Sequence, residues 1–478
     1  MVTLEKLYNS LHEKTVKDVL DPRQLNCLLE PGNLPPVWRK GPCDCEEADN
    51  ARQSGEKTGK QAPCEAVCPF DAISRDDDNN GVIDGQHCTG CGLCLEACAC
   101  RTRPSAAASP RFSQELDEES AGKADAEPAG RSAGKPVAGS AGESAAAQGA
   151  EPDAGLIREL RSNLAARKDL FPVLELLQQP APVYALVAPA FIGQFDGDTD
   201  EDSAGRLRAA FKSLGFAGMV EVALFADILT LKEALEFDEA IKNEEDYLLT
   251  SCCCPVWLAM IRKKYAHLIS HIPPSVSPMI AAGRTIKQLL PEAKTVFVGP
   301  CLAKKAEARE PDLAGAIDHV LTFKETAELF REAEIIPADF APDARENTSA
   351  GGRIYAVSGG VSQAVRDTLS RLRPGRKIPL KAKQADGVAG CKALLEEVQQ
   401  GLQGANFIEG MGCNGGCAGG PAVLTARDIS RPLITAYSKD APYETPADNP
   451  FVLELLENLG IATVENLRDP DNLFHRKF

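Results

Sequence analysis

The spacing Cys88-x2-Cys91-x2-Cys94-x3-Cys98 restricts this chain more than any other feature. Four thiols repeated at this interval read as metal-ligating thiolates, not as core residues or a disulfide framework. The chain has 17 cysteines, an odd number, and ten of them fall between Cys27 and Cys100. Six more stand far downstream in three groups: Cys252-Cys253-Cys254, Cys301, and Cys413 with Cys417. The opening residues MVTLEKLYNSLHEKTVKDVL lack a basic stretch followed by an apolar one, so no secretory leader and a cytoplasmic location are expected. Only six histidines are present, and none neighbours a cysteine pair at zinc-finger spacing. That tilts the metal from zinc toward iron–sulfur clusters, with a structural zinc ribbon as the alternative.

Charge and composition exclude other classes. There are 52 basic and 69 acidic residues, a net charge of −17, which argues against nucleic acid or an anionic membrane as a bulk-charge partner. No apolar run reaches 18 residues, so no membrane span is expected. With 478 residues and 44 % hydrophobic content, the chain can build more than one core.

Patterning divides it into four parts. Residues 1–42 read as an N-terminal extension, a short polar helix followed by a Pro-rich approach. Residues 43–100 are the cysteine-rich block. In residues 101–155, 34 of 55 positions are Ala, Gly, Ser or Pro, which cannot bury enough surface to offset chain entropy. This segment is expected to be a disordered linker, with a docking tail as the alternative. Globular patterning resumes over 156–478. There the apolar runs VYALV (183–187), VEVALF (220–225), YLLT (247–250), TVFV (295–298), RIYAV (353–357) and NFIEGM (406–411) alternate with helical stretches. The alternation predicts an α/β fold in two lobes with largely parallel sheets.

The segment CPFDAI…GVIDGQHCTGCGLC resembles two-cluster ferredoxins, in cysteine spacing and in the hairpin between, so a small α+β ferredoxin-like domain is expected. The resemblance implies one 4Fe-4S cluster on Cys88, Cys91, Cys94 and Cys68. It implies a second on Cys43, Cys45, Cys64 and Cys98, with Cys100 as a competitor for Cys98 and Cys43-x-Cys45 departing from C-x2-C. Asp76-x-Asp78-x-Asn80-Gly81 imitates the start of a calcium loop. His87 stands where its closing Glu belongs, and an Asp/Asn/Gly turn is the simpler reading. Cys27 has no partner at motif spacing and reads as a plain thiol.

Three downstream motifs each follow a predicted strand: Thr250-Ser251-Cys252-Cys253-Cys254-Pro255-Val256-Trp257, Gly299-Pro300-Cys301-Leu302-Ala303-Lys304-Lys305-Ala306-Glu307, and Glu409 to Gly420 around Cys413 and Cys417. Ala188-Pro189 follows VYALV in the same way. Loops beyond the C-terminal ends of parallel strands converge on one crevice, so these cysteines are expected at one site. Glycines beside Cys413 and Cys417 allow backbone to approach a bulky ligand.

These motifs, in this order, resemble those of the iron-only (FeFe) hydrogenases from about residue 180 onward. The resemblance implies an H-cluster, a 4Fe-4S cubane joined through a cysteine to a diiron centre with CO, CN and azadithiolate. Its cubane ligands would be Cys254, Cys301, Cys413 and Cys417, with Cys417 as the bridge. Cys253 would shuttle protons to the bridgehead amine, Lys304 would hold a cyanide, and Ala188, Pro189 and Met411 would line the site. Glu233 and Glu236 share a helix face and align with the relay carboxylates; a solvated acidic face is their alternative. Met411 as an ordinary core residue is likewise open. Pro273 stands where the relay has a serine, with Ser275 or water as substitute. Gly299 replaces a methionine, which is expected to open space beside the diiron site, and Cys252 takes the place of a serine.

The implied activity is reversible formation of H2 from protons and electrons. The implied partners are an external electron carrier such as a ferredoxin and the proteins that mature the diiron site. Two alternatives keep the same cysteines: an H2-sensing regulatory protein, and a non-catalytic iron–sulfur assembly protein without the diiron centre. Retention of Cys253, Lys304 and Met411 weighs toward the enzyme. No G-x-G-x-x-G follows a strand, so direct use of a nicotinamide is not expected.

Overall fold

A computed structural model describes residues 2–18, 22–32, 34–39, 63–75, 81–98, 164–195, 202–250, 253–343, 347–401 and 404–478. The expected linker, Cys43, Cys45, Cys100, Cys252 and the calcium-like Asp76-x-Asp78-x-Asn80 lie outside the described residues.

The N-terminal part runs α1 (Leu4–Asp18), α2 (Pro22–Leu29), β1 (Val37–Arg39), α3 (Pro63–Ala66), β2 (Ile73–Arg75), β3 (Gly81–Ile83), α4 (Leu93–Ala97) and β4 (Leu164–Ala166). Strands β2 and β3 form an antiparallel pair with Ile73 opposite Ile83. Strand β4, from beyond the expected linker, returns to pair with β1, Val37 facing Ala166. Helix α1 is no loose appendage. Leu7 and Leu11 are buried in the main core, and Tyr8 meets Phe171 edge-on at 5.5 Å.

The chain continues through α5 (Leu170–Leu177), β5 (Val183–Val187), α6 (Ser203–Leu214), β6 (Gly218–Glu221) and α7 (Ala223–Ala240). Next come β7 (Leu248–Leu249), α8 (Pro255–Lys264), α9 (Pro278–Leu289), β8 (Lys294–Gly299), α10 (Ala303–Glu307), β9 (His319–Thr322) and α11 (Phe323–Glu332). The last stretch holds α12 (Ala350–Ile354), α13 (Gly360–Leu372), β10 (Ala382–Asp386), α14 (Gly387–Gln399), β11 (Phe407–Met411) and α15 (Arg427–Lys439).

Two parallel sheets form, as the alternating pattern predicts. One has the order β6-β5-β8-β9, with Ala185 opposite Val296. The other has the order β10-β11-β7, with Ile408 opposite Leu249. In the first sheet the chain turns to one side after β5 and to the other at β8. That makes a switch point at which the loops after these two strands diverge and leave a crevice. Both strands are buried on both faces, hence the unbroken VYALV and TVFV runs.

Helix α7 lies in the middle of the molecule and is buried on nearly every side. An enclosed helix is expected to be apolar all round. This one carries Asp227, Thr230, Lys232 and Glu233, each no more than 1 % exposed. Two local expectations differ from the structure. VEVALF is strand only through Glu221; the rest opens α7, because one apolar run serves both a buried strand and a buried helix. RIYAV is not a strand. Ser349 caps α12 at the Gly352 N–H. A Cβ at Gly352 would fall 2.2 Å from the Ala223 carbonyl oxygen, so a glycine is needed for this close crossing with α7.

Candidate metal centre

Four loops reach the crevice from the ends of β5, β8, β7 and β11. Cys254 ends the first motif, immediately before α8, and accepts a hydrogen bond on its Sγ from the Gly412 N–H at 3.3 Å. Cys301 follows β8, and Cys413 and Cys417 follow β11. The four thiols act on one another electrostatically: Cys413 feels Cys301, Cys254 and Cys417, and Cys417 feels Cys301 and Cys254. Burial, with neighbouring thiols adding and Lys304 opposing, pushes the Cys301 thiol up to about 11 and that of Cys417 up to about 12. As bare thiols Cys301, Cys413 and Cys417 stay protonated; ligation to iron would supply the positive charge that makes thiolates. This donor set fits a cubane, with Cys254, Cys301, Cys413 and Cys417 as the residues that would hold it.

Backbone closeness in this region depends on glycine. Gly416 has φ +82°, and a Cβ there would lie 2.8 Å from the Met411 sulfur and 2.7 Å from the Ser358 nitrogen. Met411 is therefore seated against the loop that carries Cys417, 3 % exposed. Gly410 passes over the Trp257 ring, and Trp257 Nε1 donates to the Thr250 carbonyl at 2.8 Å. These contacts join the first and third motifs.

The Cys253 thiol is pushed well above the ordinary value by burial, then by Cys254, Cys417, Glu233 and Glu409. Lys304 is within electrostatic reach of it. Burial pulls its ammonium down, but Glu307, Cys301 and Cys253 outweigh this and leave it raised. Its Nζ donates to Glu307 Oε2 at 2.6 Å, both side chains being buried. A thiol that stays protonated thus lies within electrostatic reach of a carboxylate, of two of the cage thiols and of a cation.

Glu233 accepts from Thr250 Oγ1 at 2.9 Å. Glu236, one turn along α7, is paired with Lys232 and accepts from Ser275 Oγ at 3.5 Å. Burial raises its pKa, opposed by Lys232 and Ser275. Neither carboxylate is the solvated acidic face that LKEALEFDEA alone allows. Ser275 does reach Glu236, while Lys232, absent from the sequence reading, also bonds the Pro274 carbonyl at 3.3 Å.

Gly299 does not simply open space. A Cβ there would fall 2.6 Å from the Phe297 ring and 3.2 Å from the Ala188 Cβ. Phe297, two residues back on the same face of β8, occupies the volume that the missing side chain leaves. Ala188 and Pro189 are both buried at the end of β5.

In the N-terminal part, Cys68, Cys88, Cys91 and Cys94 line one cavity with Val37, Phe70, Ile73 and Ile83. Burial raises Cys91 to about 12 and raises Cys94 still further, with the other three thiols adding to the shift of Cys94. Cys64 also acts on Cys94 and shares a small core with Cys98, so the second expected set begins beside the first. The two regions touch. Gly90, at φ +74°, approaches the Ala303 backbone so closely that a Cβ would lie 3.0 Å from its nitrogen. Cys91 in turn acts on Cys413.

Glu409 opens the third motif, but its structural part and that of Cys391 show only in the fold. Glu409 accepts from the Gly359 and Ser362 N–H groups and from Ser362 Oγ, all within 2.8 Å, and so anchors the start of α13 to the third motif. Cys391 is a buried thiol that donates to the Met411 carbonyl at 3.3 Å and acts on Cys254. A single cysteine in a helical stretch has no spacing to reveal it.

Loops of two parallel sheets bring four half-buried thiols to one region, an arrangement suited to holding an iron–sulfur cluster. Comparison with known proteins makes that specific. Residues 181–421 match the family model "iron only hydrogenase large subunit, C-terminal domain". The chain belongs to the iron-only hydrogenase family. It is 27 % identical over 272 residues to iron hydrogenase 1 of Clostridium pasteurianum, covering 48 % of this chain and 47 % of that protein, about half the length of each. It is also 26 % identical over 292 residues to a probable cytosolic Fe-S cluster assembly factor of Drosophila erecta, covering 50 % of this chain and 61 % of that one. A variant of the apo [FeFe]-hydrogenase HydA1 from Chlamydomonas reinhardtii superposes with a TM-score of 0.55 at 21 % identity. It covers 65 % of this chain and 98 % of that chain, a likeness of fold. Among the described residues no helix is long and apolar enough to cross a membrane.

Proposed function

We propose that this protein catalyses the reversible formation of H2 from protons and electrons. The observation that carries the proposal is that Cys253 lies within electrostatic reach of the cubane candidates Cys254 and Cys417 and also of the carboxylate Glu233. An assembly protein needs the cage but no proton-delivering thiol; a chain that keeps Cys253, Glu233 and Lys304 together is equipped for proton delivery.

When bound, the H-cluster would supply the redox centre at which protons and electrons combine. The chain's own residues do the rest. Cys253 holds a proton at its Sγ, which burial keeps from ionising. Glu233, held by Thr250, is the carboxylate that renews it. Glu236 and Lys232 lie one turn further out. Lys304, fixed by Glu307, is the cation available to an anionic ligand such as cyanide. Phe297 and Met411 keep water from the crevice.

Electrons would enter through 4Fe-4S clusters of the N-terminal block, one on Cys68, Cys88, Cys91 and Cys94 and a second on Cys43, Cys45, Cys64 and Cys98. The electrostatic reach of Cys91 to Cys413 and the close approach of Gly90 to Ala303 support a short step to the cubane. An external carrier such as a ferredoxin would load them in the cytoplasm, and maturation proteins would install the diiron unit.

The second reading, an iron–sulfur assembly protein, is favoured by the Drosophila relative. H2 evolution by the matured full chain, measured with reduced viologen against Cys253→Ala, separates the two. Turnover lost in the variant supports the enzyme; no turnover in the wild type supports the assembly protein.

A further inference from the structure

We propose that His475 is the outermost group of the proton path, exchanging protons with solvent on one side and with Ser275 and Glu236 on the other. The inference rests on the hydrogenase reading above.

The C-terminal segment forms an antiparallel bridge in which His475 lies opposite Ser275. The flanking hydrogen bonds run from the Val276 N–H to the Phe474 carbonyl at 3.0 Å and from the Arg476 N–H to the Pro274 carbonyl at 3.1 Å. This pattern makes Ser275 and His475 a non-hydrogen-bonded pair, the kind in which Cα atoms approach to about 4.5 Å and side chains stand together on one face. Ser275 is 1 % exposed and its hydroxyl donates to Glu236. The imidazole is only half-buried, yet its Nδ1 is buried and has no hydrogen-bond partner among the described residues. The ring therefore shares a face with Ser275, has one buried and unpaired nitrogen, and keeps part of its surface toward solvent.

The segment is held firmly. Phe474 is fully buried. Arg284 Nη1 donates to the Leu473 and His475 carbonyls at 2.9 and 3.2 Å. Arg476 pairs with Asp312 at 2.8 Å and with Glu310 at 2.5 Å. Charged groups acting on the imidazole are Lys232 from α7, Lys477 and Asp471, with the Arg284 guanidinium on its own carbonyl. Burial and the two lysines lower its pKa, Asp471 opposing, so the ring is mostly neutral near pH 7 and gives up an acquired proton readily.

In the H2-forming direction each hop moves one proton. Nδ1 has no direct hydrogen-bond partner, so one bridging water completes the hop: the imidazolium passes its Nδ1 proton through it to Ser275 Oγ while that hydroxyl passes its own to a Glu236 carboxylate oxygen. The imidazole is then reprotonated from buffer. Lys232 holds the accepting carboxylate in place and bonds the Pro274 carbonyl beside Ser275.

The test uses the matured full chain and His475→Gln, which keeps polarity but cannot carry a proton. Turnover should fall about tenfold, less than the roughly hundredfold or more of a group that transfers the proton in the reaction itself, because buffer can partly bypass the outermost group. The neutral-to-acid limb of its pH profile should flatten, and added imidazole should restore the rate. Proton uptake on reduction, followed with a pH-indicator dye, should slow in parallel, with iron content and infrared bands unchanged. Ser275→Ala should lower turnover without being rescued by imidazole, and this variant carries the test if His475→Gln loses its clusters. An active wild type with unchanged pH profile and dye kinetics in both variants overturns the role of His475 and leaves the hydrogenase reading intact. A matured wild type with no H2 turnover overturns both.

Discussion

Thr250 Oγ1 donates to Glu233 Oε2 at 2.9 Å with both residues buried, and this bond ties the loop that carries Cys253 to the helix that carries the carboxylate. Thr250→Val keeps the shape and removes the donor. The loss should cost about 1–3 kcal/mol of stability, as for a buried acceptor losing one partner. Thermal unfolding of the two proteins checks the cost. Turnover should fall further than stability does, because Glu233 loses its orientation toward Cys253, while iron content stays constant.

The three consecutive cysteines should behave differently. Cys254→Ala removes a cage thiol and should prevent stable assembly of the cluster, read as iron content and absorbance. Cys253→Ala should keep the cluster and cut turnover by about a hundredfold or more, the range for a lost proton-transfer group. Cys253→Asp should recover part of it, and Cys252→Ala should be mild. Loss of the cluster in Cys253→Ala with retention in Cys254→Ala would shift the assignment by one residue.

In the N-terminal block, Cys68→Ala and Cys98→Ala should each damage a different cluster. Electron paramagnetic resonance of the reduced chain should lose one signal in each variant, and not the same one. Stoichiometric zinc in the wild type would contradict both clusters.

Asp227 accepts from the Ser349 N–H at 2.8 Å and from Asn449 Nδ2 at 3.2 Å, entirely inside the protein. Burial raises its pKa to about 6, the hydrogen bonds opposing. The folded state therefore binds a proton more tightly than the unfolded chain. This group's contribution is fully present below the unfolded value near 4 and is lost as pH rises toward 6. The stability difference between wild type and Asp227→Asn should shrink across that window by about 3 kcal/mol, at 1.36 kcal/mol per unit. Chemical denaturation at pH 4 and pH 7 measures it; a difference independent of pH would show that Asp227 is charged throughout.

Much of the site is legible because clusters demand cysteines, and cysteine spacing survives in a one-dimensional string. The position of each motif after an apolar run is enough to bring Cys254, Cys301, Cys413 and Cys417 to one crevice. What the string hides depends on packing. RIYAV looks like a strand because Ile and Val favour sheets, but Ser349 and the glycines before it set a helix against α7. Strand β10, AKQAD, has no apolar run because it lies at a sheet edge, half-exposed. Lys232 reads as a surface lysine until α7 is seen to be enclosed. Phe297 reads as core until Gly299 leaves the space its ring fills. His475 has no motif; only the pairing of the last residues with Ser275 brings it to Glu236.

The central claim is that the cage beside Cys253 carries a diiron centre. Infrared spectroscopy of the full chain, matured with the diiron cofactor, tests it most directly. The account predicts sharp CO and CN stretching bands, present in wild type and Cys253→Ala and absent from Cys254→Ala. A wild type that binds its full complement of iron, yet shows no such bands after maturation, would contradict it and leave an iron–sulfur protein without hydrogenase chemistry.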